Sequence, residues 1–213
     1  MTDLALSRLH FPIHTLGPGQ RVGIWFQGCS IRCQGCVSLD TWASGKGAST
    51  VEALLETIAP WTERADGVTV SGGEPFDQPE ALLATLQGVR RLFDGDVLVY
   101  SGYPLEKLDL APFDGLIDAL MSDPFDRAAP QSLPLRGSDN QRLTLLTDKG
   151  KDRFSDYDVA RQPDRALDVM FDDETGEVFF VGIPRPGDMR RFADLLETMG
   201  HSVATSADVR VLL

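Results

Sequence analysis

Cysteine is nearly missing from this chain. There are three, Cys29, Cys33 and Cys36, and none elsewhere in 213 residues. Pairing any two would leave an odd thiol, so a disulfide framework is excluded. Histidine is as scarce, and His10, His14 and His201 stand at no knuckle spacing from the cysteines. Basic residues are outnumbered, 20 Lys and Arg against 32 Asp and Glu. The resulting net charge of −12 argues against a nucleic-acid partner. No apolar run is long enough to span a bilayer, the N-terminus has no signal-peptide pattern, and repeats and low-complexity tracts are absent. What remains is the profile of a soluble globule, expected in the cytoplasm, with length for one substantial core and a small appendage.

What is present is concentrated. Cys29-Ser30-Ile31-Arg32-Cys33-Gln34-Gly35-Cys36 is a C-x3-C-x2-C triplet directly after an apolar run at 22–26. Thiolates bind soft metals and iron–sulfur clusters. Structural zinc takes four ligands in paired knuckles, and the triplet lacks a fourth at suitable spacing. A cubane cluster normally takes four cysteines, one per iron. Three from one loop would leave one iron open to a small molecule, the layout of a reactive centre more than of an electron wire.

Along the chain, residues 1–14 read as a mixed lead-in, with His10 and His14 as surface or packing residues. Residues 16–19 form a turn, and 22–26 a buried strand. Further strands are expected at 67–70, 96–100, 116–120 and 143–146. A helix opens at a capping box, residues 49–52, with Val51, Leu54, Leu55, Ile58 and Trp61 on its apolar face. A second is expected to be capped by Asp77, with Leu82, Leu83, Leu86, Val89 and Phe93 as its stripe. This βα alternation predicts a partial, open, parallel βα barrel over residues 1–147. Residues 148–165 turn polar and read as a linker. Residues 166–213 read as a β-β-α appendage: a hairpin around residues 172–176, then a helix from Asp188 to Gly200.

The triplet, the segment Ser71-Gly72-Gly73-Glu74-Pro75 and the strand–helix alternation together resemble the radical S-adenosylmethionine superfamily. More narrowly, the chain resembles the activating protein of anaerobic ribonucleotide reductase. The narrowing rests on Gly17-Pro18-Gly19-Gln20-Arg21 and Arg136-Gly137-Ser138-Asp139-Asn140-Gln141; Thr41-Trp42 and Ser101-Gly102-Tyr103 match as well, all in the family's order. The resemblance implies a 4Fe-4S cluster on Cys29, Cys33 and Cys36. It implies S-adenosylmethionine bound by Ser71, Gly72, Gly73, Glu74 and Pro75, with Ser101 and Gly102 beside its methionine and ribose. It also places Arg21 near the substrate; the plain alternative for Arg21 is a solvated charge at a strand entry. Trp42 is read first as core packing.

The chemistry implied is reductive cleavage of S-adenosylmethionine to methionine and a 5′-deoxyadenosyl radical. The substrate implied is a glycine Cα–H in a large glycyl radical protein, with a reduced flavodoxin or ferredoxin as electron donor. No acid or base side chain is required, since the cofactor does the difficult step. The chain departs from the family pattern at Val37-Ser38 and at Ser122-Asp123-Pro124-Phe125, and the appendage is additional. Two alternatives stand beside this reading: the same chemistry on a small molecule or peptide, and an iron–sulfur electron-transfer or sensor module.

Overall fold

The computed structural model describes residues 1–159, 166–171, 178–185 and 187–208. Its centre is a seven-stranded sheet, built from β1 (Asp3–Ile13), β2 (Arg21–Phe26), β3 (Ala48–Thr50), β4 (Gly67–Gly72), β5 (Asp96–Tyr100), β6 (Ala119–Ser122) and β7 (Arg142–Leu145). The spatial order is β3-β1-β2-β4-β5-β6-β7. β2, β4, β5 and β6 are parallel neighbours, while β1 and β7 run antiparallel to β2 and β6. The sheet is therefore mixed and mostly parallel. β7 reverses because no helix lies between it and β6, and a parallel return needs a long crossover, usually helical.

Two helices, α1 (Val51–Thr62) and α2 (Pro79–Leu92), cover one face. Val51, Leu54 and Ile58 of α1 and Leu82, Leu86 and Val89 of α2 pack against Val22, Ile24, Phe26, Val68, Val70, Val97 and Val99. The helical apolar periodicity thus meets alternate residues of the strands. Thr50 caps α1, its side chain accepting from the Ala53 N–H at 3.2 Å.

The segment read as a mixed lead-in is the long strand β1. Register shifts between Leu6 and Arg8 and between His10 and Ile13 break its two-residue period. The segment read as a linker begins as a third helix, α3 (Asp148–Phe154), continued by a 3-10 turn, Ser155–Asp158. Thr147 caps α3 by accepting from the Gly150 N–H at 3.0 Å. Fully buried Phe154 inserts among Leu98, Ala119, Met121, Leu135 and Leu143 on the sheet face away from α1 and α2.

Beyond it, β8 (Asp168–Phe171) and β9 (Val178–Val181) pair antiparallel, followed by α4 (Asp188–Thr198). The turn read at residues 172–176 lies outside the described residues. The hairpin sits on β1 and β2: Val181, Met170 and Ile183 pack with Ile13, Leu16 and Trp25. Asp168 accepts from the backbone N–H of His14 at 2.7 Å and from the Thr15 hydroxyl at 2.9 Å. No helix among the described residues is long and apolar enough to cross a membrane.

Candidate functional site

The C-terminal ends of β2, β4, β5 and β6 lie side by side, the usual place for a site in a parallel sheet. The cysteine loop leaves β2 through Gly28, whose φ of 96° is left-handed. Its course is held from outside. Gly28 donates to the Thr41 carbonyl at 2.7 Å and Cys29 to that of Trp42 at 3.3 Å. Asp77 takes the Ser30 N–H at 2.7 Å and hydroxyl at 2.9 Å, and the Tyr103 hydroxyl at 2.7 Å. Asp77 is thus committed to the cysteine loop and does not cap α2, whose cap position is Gln78. Arg32, at φ 53°, turns the chain between Cys29 and Cys33.

All three thiols are partly buried, and burial pushes each above the usual thiol range. Backbone N–H groups act against this: Arg32 and Ile31 at Cys29, Phe125 at Cys33, and Ser38 at Cys36, the last at 3.4 Å from the sulfur. The Trp42 indole nitrogen is buried beside Cys36 and acts against the rise as well, short of full hydrogen-bond geometry. A donor so placed suits a thiolate bound to iron, which accepts such bonds. No group of three or more His, Cys, Asp or Glu among the described residues is placed to hold a single metal ion. In a cubane each cysteine takes its own iron, so the three sulfurs need not meet at one point. The donor set therefore fits a cluster.

Ser71 lies in register with Trp25 at the end of β4. Gly72 and Gly73 follow. A Cβ on Gly72 would meet Phe26 N at 2.4 Å, and one on Gly73 would meet Gly28 O at 2.0 Å. These glycines let the β4 end lie directly against the cysteine loop, and the space they provide is taken by backbone. The Gly73 and Glu74 N–H groups use that proximity, donating to Phe26 O and Gly28 O at 2.8 Å each. Pro75 opens a 3-10 turn, Pro75–Asp77.

Glu74 is 1% exposed. Its Oε1 accepts from Phe76 N and from Ser101 Oγ, both at 3.0 Å, and its Oε2 accepts from Gly102 N at 2.7 Å. Ser101 and Gly102 are thereby joined to the β4 end through one carboxylate. Burial without a cation pushes that carboxyl up to about 7. The structure thus brings Glu74, Ser101 and Gly102 together beside the cysteine loop.

Two other sequence-singled segments fall differently. Arg21 is fully buried at the opposite end of β2, paired to Asp96 at 2.6 Å and bonded to Thr69 at 2.7 Å. Five residue steps along a strand put it about 16 Å from the site end. It is neither a substrate contact nor a solvated charge. The segment at 136–141 folds into a brace. The Gln141 side chain accepts from Gly137 N at 2.8 Å, Asn140 donates to Pro124 O at 2.9 Å, and Ser138 Oγ accepts from Asp126 N at 3.0 Å. The braced loop carries the Phe125 N–H to Cys33 and sets Arg127 against Gly35. Beside it opens a cavity of about 650 Å³ whose lining includes Gln34, Phe125, Asp126, Arg127 and Asn140.

Residues 15–144 match the family model described as a 4Fe-4S single cluster domain. The chain is 32% identical to the anaerobic ribonucleoside-triphosphate reductase-activating protein of Vibrio cholerae, over 65% of this chain and 96% of that one. It is 31% identical to the protein of the same name from Escherichia coli K12, over 62% and 93%. With the pyruvate formate-lyase-activating enzyme of Clostridium pasteurianum it shares 32% identity, over 66% of this chain and 56% of the other. The chain belongs to the radical S-adenosylmethionine family of glycyl radical activating proteins. Members of this family use a 4Fe-4S cluster and S-adenosylmethionine, and these are the cofactors of this member. The matched span ends well before α4, so the appendage lies outside the family's shared part.

Proposed function

We propose that this chain generates a glycyl radical on a large partner protein of the anaerobic ribonucleotide reductase kind. The observation that carries the reading is the similarity to reductase-activating proteins across nearly their whole length. In this reading Cys29, Cys33 and Cys36 would each hold one iron, leaving the fourth for S-adenosylmethionine. When bound, cluster and S-adenosylmethionine together supply a 5′-deoxyadenosyl radical able to abstract a hydrogen atom from a glycine Cα.

The protein's own part is to hold and shield. Glu74 would accept a hydrogen bond from the ligand's amino group, being already held by Ser101 and Gly102 and lacking a cation of its own. Asp77 and Tyr103 fix the Cys29 limb, and the braced 123–128 loop fixes the Cys33 limb. The cavity beside Gln34 faces the cluster loop and offers a route by which a loop of the partner reaches the reacting atoms. The sheet, in this reading, curls as a partial barrel with that side open. The electron comes from a reduced flavodoxin or ferredoxin.

The test is anaerobic incubation of the reconstituted protein with S-adenosylmethionine, reduced flavodoxin and a candidate glycyl radical protein. A doublet signal in electron paramagnetic resonance on the partner, with release of 5′-deoxyadenosine and methionine, is expected. Cleavage without radical transfer to any glycyl radical protein would point to a different substrate.

A further inference from the structure

After α4 the chain returns to the cysteine loop. Ser206 bonds to it twice. Its hydroxyl donates to the Val37 carbonyl at 2.8 Å, and its own carbonyl accepts from the Leu39 N–H at 2.8 Å. The Val37 carbonyl and the Ser38 N–H belong to one planar peptide group. That N–H is the donor to Cys36 Sγ. Hydroxyl, peptide and sulfur therefore stand in series. A bond accepted at the oxygen of a peptide polarises the group and strengthens the donor at its other end.

The three limbs of the loop are held by different parts of the molecule. The Cys29 limb is tied by Asp77, and the Cys33 limb faces the Phe125 N–H. The Cys36 limb continues into Val37, which is 42% exposed, and is tied from within by the Thr41 hydroxyl donating to the Ser38 carbonyl at 2.8 Å. Ser206 is its anchor from the appendage, beyond residues 15–144 that carry the family match.

We propose that Ser206 is a positioning residue for the cluster. It orients and polarises the Val37–Ser38 peptide so that the Ser38 N–H donates to the Cys36 thiolate, which raises the cluster's reduction potential. Hydrogen bonds to cluster sulfurs draw off negative charge and favour the reduced, more electron-rich state. The C-terminal appendage thereby sets how readily the cluster accepts its electron. This inference rests on the reading of Cys36 as an iron ligand.

The experiment uses the full-length protein, reconstituted anaerobically, as wild type, Ser206→Ala, Ser206→Thr and Cys36→Ala. Iron per chain, the cluster midpoint potential from a mediated redox titration, and hydrogen exchange at the Leu39 amide in the metal-free protein are measured. Ser206→Ala is expected to hold as much iron as wild type and to keep Leu39 protected, because the backbone carbonyl of residue 206 remains. Its midpoint potential is expected to move to a more negative value, and Ser206→Thr, which keeps a hydroxyl, to restore it. An unchanged potential in Ser206→Ala, or a shift that Ser206→Thr leaves in place, overturns the proposal. Loss of Leu39 protection in Ser206→Ala overturns it as well, by assigning the shift to a displaced tail. Cys36→Ala checks the underlying reading separately: a variant that keeps its whole cluster shows that Cys36 is not a ligand, and the proposal falls with it.

Discussion

Glu74 is a carboxylate with three hydrogen-bond donors and no cation, held at a pKa of about 7 by burial. The folded state therefore binds a proton that the unfolded chain has already released above pH 4.5. The sign follows: the stability Glu74 lends is complete below about pH 4.5 and is lost as pH rises to about 7. An amino N–H of the ligand donating to Glu74 reverses the preference by favouring the ionised form. Binding of S-adenosylmethionine at pH 7 is expected to release about half a proton from Glu74, beyond any given up by the ligand's amino group, and affinity to fall below pH 7 by about tenfold per unit through Glu74. Calorimetry in two buffers of different ionisation enthalpy reads the proton directly. An affinity flat from pH 6 to 8 with no proton released would remove Glu74 from the ligand. A second residue-scale test is Gly73→Ala. Its Cβ would meet a backbone oxygen, so the variant is expected to lose about 1–3 kcal/mol in denaturant unfolding even without metal or cofactor. The sequence reading assigned Gly73 and Glu74 to the cofactor, and the structure sets both beside the cysteine loop. It did not show that the glycines serve backbone packing, because the contacts are with main chain distant in sequence, Phe26 for Gly72 and Gly28 for Gly73, which no side chain advertises.

Among elements, α1, α2 and the parallel strands β2, β4 and β5 were legible because their apolar periods are unbroken, while the strand expected at 116–120 is displaced to β6, Ala119–Ser122. β1 was not: Leu4 and Leu6 share a face with Leu9 and Phe11, but the irregularity between Leu6 and Arg8 shifts the alternation by one residue. α3 was hidden for another reason. Its seven residues are mostly charged, and a single side chain, Phe154, commits it to the core. Gly150 completes the fit, since a Cβ there would lie 2.1 Å from the Asp118 carbonyl oxygen. Phe154→Ala is therefore expected to cost about 3–5 kcal/mol, a core penalty that a linker residue would not incur. A denaturant midpoint unchanged by Phe154→Ala would mean that the helix is not seated on the sheet. Asp77 illustrates the limit of local rules: its position before Pro79 has the look of a helix cap, yet the loop carrying Ser30 competes for its carboxylate and wins both oxygens.

At the scale of the molecule, the appendage occupies the sheet face that α1 and α2 leave uncovered, together with α3. Val181, Met170 and Ile183 cover Ile13, Leu16 and Trp25, and the His10 ring packs between Trp25 and Phe179, with centroid distances of 5.5 and 4.5 Å. So small a unit has too little surface to bury by itself and depends on the sheet for its packing. The contact carries a titration. Burial, with Arg8 nearby, lowers the His10 pKa to about 4, so the folded form resists a proton that the unfolded chain takes near 6.5. The stability tied to a neutral His10 is complete above about pH 6.5 and is lost as pH falls toward 4, opposite in sign to Glu74. His10→Phe, which cannot take up a proton, is expected to flatten this acid limb, while leaving the Glu74 limb between pH 4.5 and 7 in place. Melting temperatures of wild type and His10→Phe from pH 4 to 8, together with binding of an apolar dye, separate the two groups. Wild type should bind more dye on the acid side, as the Ile13, Leu16 and Trp25 face is uncovered; His10→Phe should not. Parallel melting curves for the two proteins across that range would show that the appendage is held without regard to the charge on His10, and would leave Asp168 and its bonds to His14 and Thr15 as the contact that decides its attachment.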